Sequence, residues 1–325
     1  MQRELLLVGR LVVALLCVFG LAHPALARAQ GETLARKVRV TAENDYFDFW
    51  RPPNLRADDN YTQGARVAVD MTNVPPVVRR LFCGMHATCG ATIEVGQELY
   101  TPTVDSAYPL PGERPYAGWL YARGAAQAVT PRRRRSLDLK LGVTGPASLA
   151  AQTQEAFHDW IHGFRRPLGW SNQLPTELAG ALRTEEADYL AAGSRAQPWV
   201  DFVPTGHVTL GTLRTAVGLS ARVRVGVNLT HPWLVGPGTR WWEAYIVLGG
   251  ETEAVARDLF LDGSTFQRSI HVEREPIIGS WERGVGLRLS HLGFEYGTVT
   301  QSREYRTGPV THPVGTISVS WWVNR

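Results

Sequence analysis

The sequence predicts an all-β protein: a transmembrane antiparallel β-barrel of about twelve strands with a helical extracellular insertion. Three observations lead to this fold class. The chain begins with a segment typical of an export signal. It is 44% hydrophobic, yet after that segment no apolar run approaches the ~18 residues that a membrane-spanning helix needs. Much of the remainder alternates between apolar and polar side chains, as strands do when one face meets lipid.

The first 29 residues have the composition of a secretory signal peptide. Basic residues precede an apolar run over residues 11–21, and small residues follow it, with cleavage expected near Ala27 or Ala29. The mature chain, residues 30–325, would then act outside the cytoplasm, in the bacterial outer membrane.

The mature chain has two cysteines, Cys83 and Cys89, in a short segment that also contains His86. In an exported protein this spacing favours one short-loop disulfide. A metal site with His86 as third ligand is the alternative, but a fourth ligand is missing.

Strict alternation is clearest in two segments. Over residues 137–144, leucine and valine occupy one face and polar or small side chains the other. Over residues 213–229, the face opposite the apolar one carries arginines, which suits a barrel with a wet interior. The further strand candidates are residues 37–45, 61–71, 91–100, 116–129, 198–210, 241–252, two segments within 267–289, 293–301 and 315–323.

One region lacks this alternation. Residues 148–164 are predicted to form a helix, opened by Pro146 and Ser148, and residues 177–192, rich in Ala, Leu and Glu, are predicted to form a second one. The helical insertion would thus cover about residues 145–197. Long insertions on compact scaffolds tend to carry function.

Strand counting places the polar and aromatic segments on one rim of the barrel. If the first strand starts on the periplasmic side, residues 44–62, 100–116 and 145–198 form outer loops, whereas the cysteine segment and residues 131–135 form inner turns. This segregation indicates a functional site at the outer rim.

Composition and motifs exclude several other classes of function. The formal charge is only +4, and nothing indicates nucleotide or nucleic-acid binding. Almost every cation is arginine, which suits phosphate on anionic lipids but equally reflects a general preference for arginine. No Gly-x-Ser-x-Gly motif supports a serine hydrolase. The remaining histidines show no metal-ligand spacing; they are His207, His231, His271, His291 and His312.

The outer rim carries short motifs in a recognisable order. They are Glu43-Asn44-Asp45, Asp59-Asn60-Tyr61-Thr62-Gln63-Gly64, Gly96-Gln97-Glu98-Leu99-Tyr100-Thr101-Pro102, Arg114-Pro115-Tyr116-Ala117-Gly118-Trp119, Gly145-Pro146, Gln154, His158 and Gly169-Trp170-Ser171-Asn172-Gln173-Leu174. Together they resemble the lipid A 3'-O-deacylase family over residues 43–177.

This resemblance implies a twelve-stranded outer-membrane barrel that requires Ca²⁺ and hydrolyses the 3'-linked acyloxyacyl ester of lipid A. The implied catalytic residues are Asn44, Asp45, Thr62, Gln154 and His158, with Asp45 and Asn44 as metal ligands. The implied partners are the lipopolysaccharide substrate and the outer membrane, and the protein is expected to be a monomer. Some members have a second acid after the Asn-Asp pair where this chain has Tyr46, and Glu43 or Asp48 could compensate for it.

These residue types suit the chemistry. Gln154 and His158 are four residues apart on the predicted helix and project from one face. An imidazole can take a proton from attacking water, and the oxygens of Asp45 and Asn44 suit Ca²⁺. Thr62 could bind the developing oxyanion or the water.

Structural explanations exist for the same residues. An exported histidine is often a surface or packing residue, His162 is an equally available base, and Asn-Asp is a common turn signal. Strict alternation along the first strand puts Asn44 on the lipid face with Val38, Val40 and Ala42 and turns Asp45 inward, unless a β-bulge lies near Glu43. That arrangement would put a site on the outer wall, covered by the helical insertion.

Two other functions remain open at this point. The first is an outer-membrane phospholipase, with the same esterase chemistry on glycerophospholipid. The second is a noncatalytic barrel for transport or adhesion.

Overall fold

The computed structural model describes residues 37–52, 60–72, 74, 76–83, 88–161, 167–194, 197–234 and 241–323. The predicted signal peptide, His86 and His162 lie outside these ranges.

Strands make up most of the described chain. They are β1 (Lys37–Asn44), β2 (Asn60–Met71), β3 (Thr88–Thr101), β4 (Ala117–Val129), β5 (Arg133–Thr144), β6 (Leu178–Asp188), β7 (Leu190–Ser194), β8 (Gln197–Gly211), β9 (Arg214–Val227), β10 (Trp242–Asp258), β11 (Ile277–Leu289), β12 (Leu292–Ser302) and β13 (Thr311–Trp322). The α-helices are α1 (Pro76–Phe82), α2 (Ala150–Ile161) and α3 (Leu259–Asp262), and 3-10 turns span Asp45–Phe47, Gly145–Ser148 and Trp170–Asn172.

The sheet closes into a barrel. Neighbouring strands pair antiparallel, β13 pairs with β1, and β6 pairs with β8. The short β7 follows β6 after a break at Tyr189 and pairs with the beginning of β8, so the closed barrel has twelve strand positions. The predicted fold class is confirmed. Among the described residues no helix is long and apolar enough to cross a membrane.

The two ends of the barrel differ. The long β1–β2, β3–β4, β5–β6, β10–β11 and β12–β13 connections start and end at one end of the barrel, which we call the outer rim. The first and last strands begin and end at the opposite inner rim, where Lys37 pairs with Trp322. Bacterial barrels place longer loops outside the cell and short turns in the periplasm, which orients the molecule.

Side chains alternate between lumen and lipid as the pattern predicts. Leu137, Leu139 and Leu141 of β5 face outwards and are 39%, 45% and 56% exposed. On β1 the odd positions face the lumen, where the Thr41 hydroxyl is 2.9 Å from that of Ser318 on β13. A barrel wall of this kind buries its polar face inside and leaves its apolar face for the bilayer.

The first predicted helix is confirmed, and the second is wrong. α2 occupies residues 150–161, but residues 178–188 form strand β6. Ala179, Ala181 and Ala187 are buried in the lumen, whereas Leu178 and Leu182 face outwards. Hydrogen bonding to β5 and β8 outweighs the helix propensity of Ala, Leu and Glu. The insertion between β5 and β6 is therefore residues 145–177 and not 145–197.

The lumen is closed near the outer rim. The segment that contains α3 folds into the barrel, where the Phe260 ring stacks on Tyr100 at 4.3 Å between centroids. Trp119 and Tyr121 stack beside them at 4.4 Å and are nearly fully buried. Further towards the inner rim, charged side chains of both signs line a cavity of about 700 Å³.

The inner-rim connection between β2 and β3 carries the disulfide between Cys83 and Cys89 that the spacing favoured. The predicted metal alternative with His86 is thereby wrong, because both sulfur atoms are used in the bond.

Candidate functional site on the outer wall

The connection after β1 folds back over the outside of the barrel. Phe47 packs on the outward side chains of Val40, Ile317 and Val319. The Tyr296 hydroxyl on β12 lies 2.9 Å from Phe49 N, which donates to it, and donates to Phe47 O at 3.0 Å. Residues 45–51, which we call the wall loop, are thus fastened to the lipid-facing side of the wall.

A glycine on β13 makes this close approach possible. A Cβ atom on Gly315 would lie 2.3 Å from the backbone carbonyl carbon and oxygen of Phe47. Because the obstructing atoms are backbone atoms, any other residue at this position would push the wall loop off the wall.

Asn44 and Asp45 place two oxygens side by side at the start of this loop. Asn44 Oδ1 and Asp45 Oδ1 both accept the backbone N–H of Tyr46, each at 2.8 Å. The side chains are almost fully buried, at 3% and 1% exposure. Asn44 lies on the outward face, as the alternation predicted.

β1 pairs without interruption on both sides, so no bulge near Glu43 changes the faces that alternation assigns. One detail predicted for this strand end is wrong. Asp45 does not turn into the lumen: regular strand geometry ends at Asn44, and the 3-10 turn brings the Asp45 carboxylate beside the Asn44 amide.

Glu43 cannot contribute to this site. Its side chain points into the lumen, where Arg66 donates to both carboxylate oxygens at 2.6 and 2.8 Å and the Tyr61 hydroxyl donates at 2.6 Å. The expectation that Glu43 could compensate for Tyr46 as a ligand is therefore wrong.

A bulge in β2 brings Thr62 to the outside. The pairing with β3 skips from Tyr61 to Gln63, so Thr62 is the additional residue. Its hydroxyl oxygen is 2.6 Å from that of Thr101, and the Thr62 side chain is buried. Uninterrupted alternation would have placed Thr62 in the lumen with Gly64 and Arg66, so the bulge determines its face.

Helix α2 crosses the outside of the same strands. Ala150 at its start packs with Leu99 of β3, whereas Phe157 near its end packs against the cluster of Val40 and Phe47. Seven residues of helix advance about 10 Å, and two inter-strand spacings are also about 10 Å. The helix therefore begins against β4 and β3 and extends over the wall towards the Val40 and Phe47 cluster.

The face that α2 presents to the wall is polar at its centre. Gln154 is 1% exposed and His158 is 5% exposed, one turn apart on the buried face. Trp170 donates its indole N–H to Gln154 Oε1 at 2.7 Å, which leaves the Gln154 NH₂ group as a donor towards other groups. Trp170 is held in turn by packing on Tyr116 and Leu99.

All five predicted site residues are thus buried between the outer wall and its covering segments. Asn44 ends β1, Asp45 begins the next 3-10 turn, and Thr62 lies on β2. Gln154 and His158 lie on the buried face of α2. The resemblance supplied no role for Trp170 or Gly315, although Trp170 stands within one of its motifs. The bulge at Thr62 has no signal in the sequence.

Asn44 and Asp45 fit a calcium ion by their donor chemistry, since both offer hard oxygens that converge from adjacent residues. Asp48, the other predicted substitute ligand, is fully buried but is engaged on the wall. Thr298 donates to Asp48 Oδ1 at 3.2 Å, and Arg51 Nε lies 3.3 Å from Oδ2.

A second group of potential metal ligands lies in the lumen, where sequence spacing showed none. The fold brings His207 within 2.8 Å of Glu253 and 3.4 Å of Glu251. Arg214 and Arg183 contact the same carboxylates, so their charge is already balanced by cations.

Comparison with known proteins gave two kinds of match. The sequence profile of the family described as "Outer membrane protein LpxR" matches residues 11–323. The solved structure "LpxR from Salmonella typhimurium" is similar with a TM-score of 0.74 at 18% identity, covering 88% of this chain and 99% of that one. The beta domain of the Bordetella autotransporter Brka reaches a TM-score of 0.45 at 10% identity, covering 90% and 99%. No curated protein sequence matches the chain.

Proposed function

Because the family profile spans nearly all of it, the chain belongs to the LpxR family of outer membrane proteins, and we propose on this premise that it is a calcium-dependent lipid A 3'-O-deacylase. The reaction is hydrolysis of the ester that holds the 3'-linked acyloxyacyl group. The family match and the barrel support the coarser statement, an outer-membrane protein of lipid A modification.

The buried polar face of α2 carries this proposal. A helix that only covered an apolar wall would bury apolar side chains. Here Gln154 and His158 are buried instead, above a wall that offers Asn44, Asp45 and Thr62. Polar groups are costly to bury, and an interface that only attached the helix would not collect five of them in one place. Their collection there indicates a site for a polar reacting group of a substrate.

In the proposed reaction His158 is the general base. Its neutral imidazole takes a proton from water as the water oxygen attacks the ester carbonyl carbon. When the carbon–oxygen bond to the sugar breaks, the imidazolium returns this proton to the leaving sugar oxygen. The products are a free acid and the 3'-hydroxyl.

Gln154 and Thr62 position the reactants. The bond from Trp170 fixes the Gln154 amide, so that its NH₂ group can donate to the ester or the water. The Thr62 hydroxyl, beside Thr101, can donate to the oxygen on which negative charge develops. Asp45 and Asn44 would hold the calcium ion. When bound, the ion supplies positive charge that polarises the ester carbonyl.

The outward position of these residues suits a lipid substrate. Leu149 and Leu168, at the edges of the α2 insertion, are 52% and 60% exposed, and Trp50 of the wall loop is 50% exposed. Apolar side chains around a polar centre can contact acyl chains while the ester reaches the buried groups. A lipid could therefore enter from the leaflet without passing through the lumen.

Mass spectrometry of lipid A tests the proposal. Cells that express the protein should yield lipid A without the 3'-linked acyloxyacyl group, and His158→Ala should lower the rate by about 10²- to 10⁴-fold, the usual contribution of a general base. His271→Ala, an exposed histidine of an outer-rim loop, is the matched control and should keep full activity.

Heat-modifiable migration in gels verifies barrel folding for each variant. Unchanged lipid A in the presence of folded wild-type protein would reject the proposal. Release of fatty acid from glycerophospholipid alone, in a parallel assay with calcium, would favour a phospholipase.

A further inference from the structure

Arg283 on β11 breaks the apolar pattern of the outer wall. Register places it on the outward face, because it pairs with Thr298 and its neighbours Glu282 and Gly284 face the lumen side. Among the strand residues that the structure describes, it is the only charged one that faces outwards away from the two rims. The other outward charges lie at the rims: Arg133, Arg135, Glu186, Asp188 and Arg257.

A charge on the lipid face destabilises a barrel, so a charged residue there indicates a role other than barrel stability. The Arg283 guanidinium lies between two indole rings, 5.4 Å from the centroid of Trp50 and 5.2 Å from that of Trp281. The faces of both rings stabilise the cation electrostatically. The side chain is still 37% exposed.

The hydrogen-bonding capacity of Arg283 is largely unused. Its Nε atom is buried and has no hydrogen-bond partner within the described part of the chain. Asp48 Oδ1 lies 3.9 Å from Nη2, beyond hydrogen-bond distance. That carboxylate already accepts a bond from Thr298 and faces Arg51. In the described part of the chain, the Asp48 carboxylate is therefore shared between two guanidinium groups.

Arg283 is separated from Asn44 by a short path along the wall. Arg283 pairs with Thr298, Thr298 with Gly315, and Gly315 with Asn44. Three inter-strand spacings amount to about 14 Å. Both side chains face the membrane side of the wall. The wall loop covers Thr298 and Gly315 between them, so a lipid headgroup that reaches both must lie over the outer surface of this loop.

We propose that Arg283, with Arg51 beside it, binds a phosphate group of the lipid whose ester is cleaved near His158. The proposal rests on the proposed function and adds the headgroup charge as a determinant of substrate choice. A planar guanidinium with free donors suits a phosphate oxygen pair. Because the site faces the membrane and is flanked by Trp50 and Trp281, the phosphate is one carried by a lipid.

The test compares Arg283→Leu with wild type on phosphorylated and on dephosphorylated lipid A. Leu suits the lipid face, so the barrel should fold. Loss of a charge-assisted bond should raise KM for phosphorylated lipid A by about tenfold or more and leave kcat nearly unchanged. KM for dephosphorylated lipid A should not change. Arg135→Leu, at the inner rim, is the control and should match wild type on both lipids.

Equal losses of kcat on both lipids would overturn the proposal and assign Arg283 to holding the wall loop through Asp48. Binding measured with the His158→Ala background separates this proposal from the esterase proposal. The comparison is between His158→Ala and the double variant His158→Ala, Arg283→Leu. If wild type hydrolyses neither lipid but His158→Ala binds phosphorylated lipid A at least about tenfold more tightly than the double variant, the phosphate site stands and the esterase proposal fails. Equal binding by the two proteins would reject the phosphate site.

Discussion

Two acidic residues at the end of β1 lie on opposite sides of the barrel wall. Glu43 is neutralised in the lumen by Arg66, whereas the Asp45 carboxylate lies outside beside the Asn44 amide. The same chain segment thus supplies one carboxylate for the stability of the barrel and another for a proposed calcium ion. This separation allows the two roles to be tested independently.

Asp45→Asn should abolish the response to calcium. Loss of the carboxylate charge weakens a hard-oxygen site, so activity should fall by about 10²-fold or more and should not recover in excess calcium. Fatty acid release measured over a calcium titration checks this. Glu43→Gln is the matched control and should keep the wild-type half-saturating concentration. Similar calcium curves for wild type and Asp45→Asn would remove Asp45 from the metal site.

Family motifs predicted the candidate site residues, but the faces on which these residues lie depend on local backbone geometry. Alternation correctly predicted Asn44 on the outer face because β1 is regular up to that residue. It failed for Asp45, where the strand ends, and it could not place Thr62, where β2 has a bulge. A bulge is a property of the pairing of two strands, and one strand's sequence does not specify it.

At the scale of elements, the site depends on two segments that lie on the wall. α2 is positioned by apolar contacts at both of its ends, with Ala150 on Leu99 and Phe157 on the Val40 cluster. The wall loop is positioned by Tyr296 and by close contact with Gly315. Neither segment belongs to the barrel, so each can be displaced while the barrel stays folded.

Gly315→Ala should displace the wall loop and with it Asp45. A misplacement of about 1 Å can cost on the order of 100-fold in rate, so a large loss of activity is expected without loss of the folded barrel. Deacylation rate and heat-modifiable migration, measured together, check this. Gly124→Ala, on β4, is the matched control, because a Cβ there would meet nothing within 4 Å.

Full activity of Gly315→Ala would show that the wall loop can shift without disturbing the site.

Helix α2 is predictable because its residues lack alternation, whereas the sequence of β6 wrongly predicts a helix. In β6 the small side chains Ala179 and Ala181 fill the crowded lumen, and this period-two pattern is hidden within an Ala- and Glu-rich composition.

At the scale of the whole molecule, the interior and the exterior of the barrel have different roles. The lumen is filled near the outer rim by Tyr100, Trp119 and Phe260, and the proposed site lies outside the wall. Alternation, aromatic positions and strand count were sufficient to predict the barrel. The closing of the lumen by α3 was not predictable, since it depends on a loop that folds inwards.

The closed lumen predicts that the purified protein forms no open pore. In planar bilayers, folded wild-type protein should show no steady conductance above that of the lipid alone, because the aromatic cluster excludes water and ions. Phe260→Ala should raise the conductance, because it removes one of the rings that fill the lumen. A stable wild-type conductance without calcium-dependent lipid turnover would favour a transport barrel.

The most direct test of the account is the position of the metal ion in crystals grown with Mn²⁺, located by anomalous scattering. We predict a peak on the outer wall at the oxygens of Asn44 and Asp45, on the side covered by α2 and close to the His158 imidazole. A peak in the lumen at His207, Glu251 and Glu253, with none at Asp45, would contradict the proposed site.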